Sequence, residues 1–277
     1  MSRQKKSFLP AVMALVVAIT LLGASRVLAG TLRVCADPDY MPFSNKSGQG
    51  LENKIAEIVA KTLGDDLQYT WASYRGRGGF DGFLYETLNA NKCDVVMEIP
   101  YGYAQALTTQ PYYVSSYVFV FKKGKDYDIR SMDSPALRKL KIGFEYDTPP
   151  EMGLKLRGLV LSATPFRIGD TDGLSPAIML EEIEKGNLDV AITWEPSIGY
   201  FLPRYPDLEV VAVPNERTYG APEQYSFPIS MGVRKGDEAT KKRLDEVIQK
   251  RQAEITAVLN NFGVKLYKPD IPGIGSY

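Results

Sequence analysis

Apolar and polar positions along this chain switch between a strand period and a helix period. Residues 32–36, 66–71 and 93–99 are short apolar runs that read as strands. Between them, 53–63 sets Ile55, Ile58, Val59 and Thr62 on one helical face at i, i+3, i+4, i+7, and 83–90 reads as a second helix. This strand–helix alternation predicts a parallel sheet with right-handed crossovers. A polar loop and Pro111 lead into another apolar strand, 114–121. The pattern then restarts, with strands at 141–144, 164–168, 189–193 and 208–213 and helices at 150–158, 175–185 and 196–202. The final strand, 229–233, and the helical stretch 239–262 have no partner strands beside them and most simply return to the first unit. The expectation is an α/β protein of two lobes rather than one larger sheet. Lobe 1 is 30–121 with 229–277, and lobe 2 is 122–228, with crossings near 121–125 and 225–229. Two crossings make a hinge, and the cleft between hinged lobes is where such a fold binds.

Residues 1–29 carry a different signal. Arg3, Lys5 and Lys6 precede an apolar run, and Val27, Leu28 and Ala29 supply a cleavage site before Gly30. Pro10, Thr20 and Gly23 interrupt the run, which reads as a cleaved secretory signal rather than a membrane anchor. The expected location is the periplasm. Without the four basic residues of that segment, 29 basic and 33 acidic residues remain among 248, a net charge of −4. Nucleic-acid binding calls for a basic stripe, and none is present.

The chain has no histidine. That removes the commonest general base and the commonest transition-metal ligand together. No nucleophile–base constellation stands out, so no catalytic residue, no metal site and no enzymatic activity are expected. Asp37 and Asp39 flank Pro38 and read as turn caps. Asp170 and Asp172 lack the glutamate that a calcium loop needs. Cys35 and Cys93 are the only cysteines. Both are placed at the starts of neighbouring parallel strands, so they are either a disulfide or two buried thiols, and export favours the bridge.

Arg75 and Arg77 sit among Gly76, Gly78 and Gly79, a basic glycine-rich loop that is either an anion cradle or a solvated turn. Tyr40, Tyr101, Tyr103 and Trp194 fall at strand ends or in loops beside the expected cleft. They read as a stacking surface or a partner anchor. Phe43, Tyr112 and Tyr113 read as plugs between the lobes.

The run KCDVVMEIPYGYAQALTTQPYYVSSYVFVF, from Lys92 to Phe121, resembles the first-lobe signature of the family 3 periplasmic solute-binding proteins, which have the type II periplasmic binding fold. LRVCADPDYMPFSN from Leu32, LTT from Leu107 and PYY from Pro111 resemble one subgroup, as does GYF from Gly199 after AITW. That subgroup is the MxaJ/MoxJ and XoxJ accessory proteins encoded beside quinoprotein methanol dehydrogenases. The resemblance implies a periplasmic accessory protein that assists assembly or activation of methanol dehydrogenase, or transiently handles its cofactor, pyrroloquinoline quinone (PQQ). Amino-acid binders of the family hold the ligand carboxylate with an arginine and its ammonium with an acid. Gly102 stands near the first position and Trp194 at the second, with Glu195 one residue late. These departures favour the accessory role. The alternative is a solute-binding protein of a membrane transporter with a small ligand other than an amino acid.

Overall fold

The computed structural model describes residues 30–168, 171, 173–218 and 221–268. The expected signal at 1–29, Asp170 and Asp172, and the tail from 269 lie outside the described residues. Lobe 1 opens with β1 (Thr31–Ala36), the short pair β2 (Asp39–Tyr40) and β3 (Ser44–Asn45), α1 (Leu51–Leu63) and β4 (Asp66–Trp71). It continues with α2 (Gly79–Glu86), β5 (Val95–Pro100), β6 (Leu107–Thr108) and the ten-residue β7 (Tyr113–Lys122). Lobe 2 contains β8 (Ile142–Glu145), α3 (Pro149–Leu156), β9 (Thr164–Phe166), α4 (Ala177–Glu184), β10 (Val190–Trp194) and α5 (Glu195–Gly199). After β11 (Leu208–Ala212) and the hairpin β12 (Glu216–Thr218) and β13 (Ala221–Glu223), β14 (Ser226–Val233) returns to lobe 1 and α6 (Glu238–Asn261) covers it.

Strand alternation divides each core into two layers. In β1, Val34 faces a cluster with α1 and α6, whereas Cys35 faces Phe83 and Leu84 of α2. In β7, Phe119 and Phe121 face Leu154 of α3, while Val118 and Val120 face Met179 and Leu180 of α4. Both sheet faces are covered, so the strands read as nearly continuous apolar runs.

The sheet differs from the expectation of two separate units. Hydrogen bonding runs unbroken along β4-β1-β5-β14-β7-β10-β8-β9. The cause is the length of β7. Its first half, Tyr113 to Ser116, pairs with β14, and Tyr117 to Phe121 pairs with β10. β11 pairs along the other edge of that second half. Residues 117–121 therefore belong to lobe 2, and the first crossing lies at Ser116–Tyr117 rather than at 121–125. The end of the described chain departs from lobe 1 as well. Val264 packs in the lobe 1 core, but Tyr267 packs on the lobe 2 cluster and its N–H donates to the Val114 carbonyl.

Two further elements shift from their expected places. The second helix starts at Gly79 and ends by Glu86, four residues early at each end. Gly78 in the left-handed region (φ 83°) sets its start, and Thr87 closes it by donating to the Phe83 carbonyl. Leu88 is buried beside Phe83 and Leu84, so its apolar spacing imitated a longer helix. The helical stretch expected at 239–262 runs from Glu238 to Asn261 and is divided into two helical segments by a kink at Arg251. No helix among the described residues is long and apolar enough to cross a membrane.

Cys35 and Cys93 form a disulfide, with Cα atoms 5.5 Å apart. Cys35 is the penultimate residue of β1 and Cys93 precedes β5, so neither begins a strand in the way the spacing suggested. Both are fully buried against α2. The bridge closes a separation of 58 residues. Loop-closure entropy on that scale gives a stabilisation of about 2–4 kcal/mol. The double variant Cys35→Ala, Cys93→Ala is expected to lose that much in urea unfolding at neutral pH, and a loss below about 1 kcal/mol would assign the cysteines to packing alone.

Candidate functional site

A cavity of about 520 Å³ opens between the lobes, lined by residues of both. From lobe 1 come Tyr40, Glu52, Tyr74, Phe80, Glu98 and Tyr103; from lobe 2 come Tyr117, Glu145, Asp147, Thr148 and Trp194; Phe227 lies on the crossing strand β14. Among the described residues the lining holds four carboxyl groups and no lysine or arginine.

Local geometry places the acids. Gly50 caps α1 and lies against the Phe43 carbonyl, where a side chain would collide with backbone. The Asn53 side chain accepts from the Gly50 and Asn45 N–H groups, both at 3.0 Å, and so anchors the first helical turn. Glu52, in that turn, is held in the cleft wall at only 4% exposure. Glu98 is positioned by an irregular strand. Ile99 pairs with Ser230 and Val96 with Gly232, so β5 has two residues where β14 has only Met231. Such a bulge redirects side chains. Glu98 itself has φ 50°, a left-handed conformation unusual for a non-glycine residue and common at functional sites.

Glu98 is surrounded by donors. Its Oε1 accepts from Tyr113 Oη at 2.7 Å and from Trp194 Nε1 at 3.4 Å, while its own N–H donates to Tyr112 Oη at 3.1 Å. Burial pushes its carboxyl up to about 8, against the lowering effect of the hydrogen bonds from Tyr113, Trp194 and Glu52. Glu52 is held well above the usual carboxylate range by burial and then by the nearby charges of Glu98 and Asp37. Both acids line the same cavity, and burial holds each of them toward its protonated form. Across the cleft, burial pushes Glu145 up to about 7, opposed by donation from Thr193 Oγ1 and the Trp194 N–H.

Of the residues singled out in the sequence, Tyr40, Tyr103 and Trp194 line the cavity. Tyr40 stacks on Phe43 at 5.1 Å, Tyr103 donates to Asp81 Oδ1, and Trp194 packs against Tyr117 and reaches Glu98. Arg75 lies behind the wall. Its guanidinium donates to the Asp39 carbonyl, sits 3.7 Å from Asp37 and lies over the Tyr40 ring, so it braces the wall instead of offering an anion site. Arg77 is exposed, Tyr101 is 40% exposed, and neither lines the cavity. Glu195 is a correction. It is buried away from the cleft, accepts from the Lys265 N–H at 3.0 Å and from Ser115 Oγ, and is pushed up to about 7 by burial. The strand-end register turns Trp194 toward lobe 1 and sends Glu195, the next residue, into the first turn of α5. Gly102, at the expected arginine position, is exposed and has φ 76°.

Glu52, Glu98 and Glu145 were not anticipated. Glu98 was visible as one acid within an otherwise apolar strand, and Glu52 as an acid just before the helix expected at 53–63. Neither pattern distinguishes a cleft carboxylate from a solvated one until the strand bulge and the lobe opposite are known.

The family model for bacterial extracellular solute-binding proteins, family 3, matches residues 32–262. The chain belongs to that family. Within it the chain sits with the MoxJ, MxaJ and XoxJ proteins. It is 34% identical over 260 residues to Protein MoxJ of Methylorubrum extorquens, covering 87% of this chain and 83% of that protein. The crystal structure of MxaJ from Methlophaga aminisulfidivorans MPT superposes with a TM-score of 0.77 at 28% identity, covering 86% of this chain and all of that one. The structure of the periplasmic binding protein XoxJ from Methylobacterium extorquens AM1 gives 0.68 at 33% identity, with the same coverage.

A carboxyl whose pKa is raised on folding keeps its proton in the folded state after the unfolded chain has lost it. Stability therefore falls as pH rises from the ordinary carboxylate range through the folded value. For Glu98, Glu145 and Glu195 that window runs from about 4.5 to 7 or 8. Urea unfolding at pH 5 and pH 8 is expected to show the protein weaker at pH 8. Glu98→Gln should flatten that slope, and an unchanged slope would mean that Glu98 ionises freely in the folded protein.

Proposed function

We propose that this chain is a non-enzymatic periplasmic accessory protein that assists assembly or activation of a PQQ-dependent methanol dehydrogenase through contact with the dehydrogenase protein. Its likeness to MoxJ, MxaJ and XoxJ along most of the chain supports that setting. The observation that carries the reading is the make-up of the cleft. Among the described residues, four carboxyl groups occupy a lining without lysine or arginine, where an amino-acid binder needs a cation for its ligand's carboxylate. The same lining disfavours the quinone. PQQ bears three carboxylates, and no cationic side chain among the described lining residues would pair with them. Contact with the dehydrogenase thus accounts for the accessory role without placing the cofactor in this cleft.

The mature protein, immobilised and exposed to periplasmic extract, is expected to retain the dehydrogenase large subunit, identified by mass spectrometry, and to retain no quinone chromophore of its own. Failure to retain the dehydrogenase, together with a thermal upshift of several degrees on adding a free amino acid, would return the chain to the transporter class.

A further inference from the structure

We propose that the cleft binds an organic ammonium cation, seated against the Glu52–Glu98 carboxyl pair and enclosed by aromatic rings. The proposal rests on reading the cleft as a binding site and adds the chemical class of its ligand. Glu52 is 4% exposed and lines the cavity, yet its Oε2 and that of Glu98 are buried without a hydrogen-bond partner among the described residues. The Tyr74 hydroxyl, in the same wall, is also buried without a partner among the described residues. Burying such atoms costs free energy unless something else satisfies them. A cation supplies the missing charge and, as a protonated amine, the missing donors.

The rest of the lining fits that ligand. Tyr40, Tyr117, Trp194 and Phe227 present ring faces and edges within one cavity, and rings of this kind attract a quaternary or protonated ammonium group. Glu145 and Asp147 lie on the opposite lobe and offer a second charge partner for a longer diamine. A metal ion is a poorer occupant, because no group of three acidic, cysteine or histidine side chains among the described residues has metal-binding geometry.

Entry of the cation ionises the Glu52–Glu98 pair, and the released proton leaves to the buffer. The groups facing the pair are Asp37, with Arg75 beside it, the buried hydroxyls of Tyr40, Tyr74, Tyr112 and Tyr113, the Trp194 indole, and Glu145 across the cleft. Burial raises those tyrosines, so they stay neutral near neutral pH. Affinity is therefore expected to rise between pH 5 and pH 8.

The test is isothermal titration of the mature protein at pH 8 with choline, putrescine and 3,3-dimethylbutan-1-ol, the last an uncharged isostere of choline. At least one cation is expected to bind, with the alcohol weaker by about tenfold or more. Glu98→Gln and Glu52→Gln should each weaken the cation by a similar factor while unfolding cooperatively, and affinity should fall at pH 5. Equal binding of the alcohol, no binding by either cation, or wild-type affinity in both variants overturns the proposal. Dehydrogenase capture, repeated with Glu98→Gln, separates the two readings. Loss of capture alongside silence toward both small cations would assign the acids to a basic side chain of the partner, against the proposal. Cation binding without any dehydrogenase capture in the unaltered protein would remove the accessory role and leave the cation site standing.

Discussion

The pairing of β7 with β14 is the constraint on which the rest of the molecule depends. Four residue pairs, from Ser226 opposite Ser116 to Ile229 opposite Tyr113, carry the sheet from one lobe into the other. Because β7 continues without a break, its next residues are already the centre of the lobe 2 sheet, between β10 and β11. The cleft lies beside this pair, and Tyr117 and Phe227 line it from the two crossing strands. A third tie lies close by. Gly199 at the end of α5 touches the backbone of Gly263, a contact too close for any side chain, and Glu195 holds the Lys265 N–H. Hinge motion must therefore carry the segment after α6 with it.

Against that frame the cleft has an unusual charge balance. Carboxyl groups buried without a cation lower stability once they ionise, and burial meets that cost by raising both Glu52 and Glu98 so that they hold their protons longer. Glu98 bears a second cost in its left-handed backbone, which the neighbouring pairings with Ser230 and Gly232 hold in place. Trp194 reaches from lobe 2 to the same carboxylate, so the acid that defines the site also bridges the two halves. Two local penalties at one residue are consistent with a site kept for binding rather than for stability.

Parts of this were legible beforehand. The strand expected at 66–71 has the bounds of β4, and α1 and the strands around it followed from apolar spacing. The bridge between Cys35 and Cys93 followed from an even count in a chain expected to be exported, although the strand positions assumed for the two cysteines did not hold. Tyr40, Tyr103 and Trp194 were recognised as cleft aromatics because they end strands or follow them. Glu195 lies one residue past the end of β10, in the first turn of α5, where it turns away from the cleft that Trp194 lines. Arg75 was read as a solvent-facing or anion-binding group, but its partners Asp37 and Asp39 come from a different loop.

The amino-acid sequence by itself determined the two-lobed α/β architecture, the expected disulfide and the absence of histidine chemistry, because periodicity, cysteine count and composition are properties of the chain alone. Only the tertiary structure decided where the lobes join, which face Glu195 takes, and that Glu52, Glu98 and Glu145 meet in one aromatic cavity. Those outcomes depend on pairing between residues up to a hundred positions or more apart, as in Ser226 with Ser116, and on a bulge that exists only between two partner strands. The protonation of the acids is likewise set by burial and by one another, which no linear pattern records.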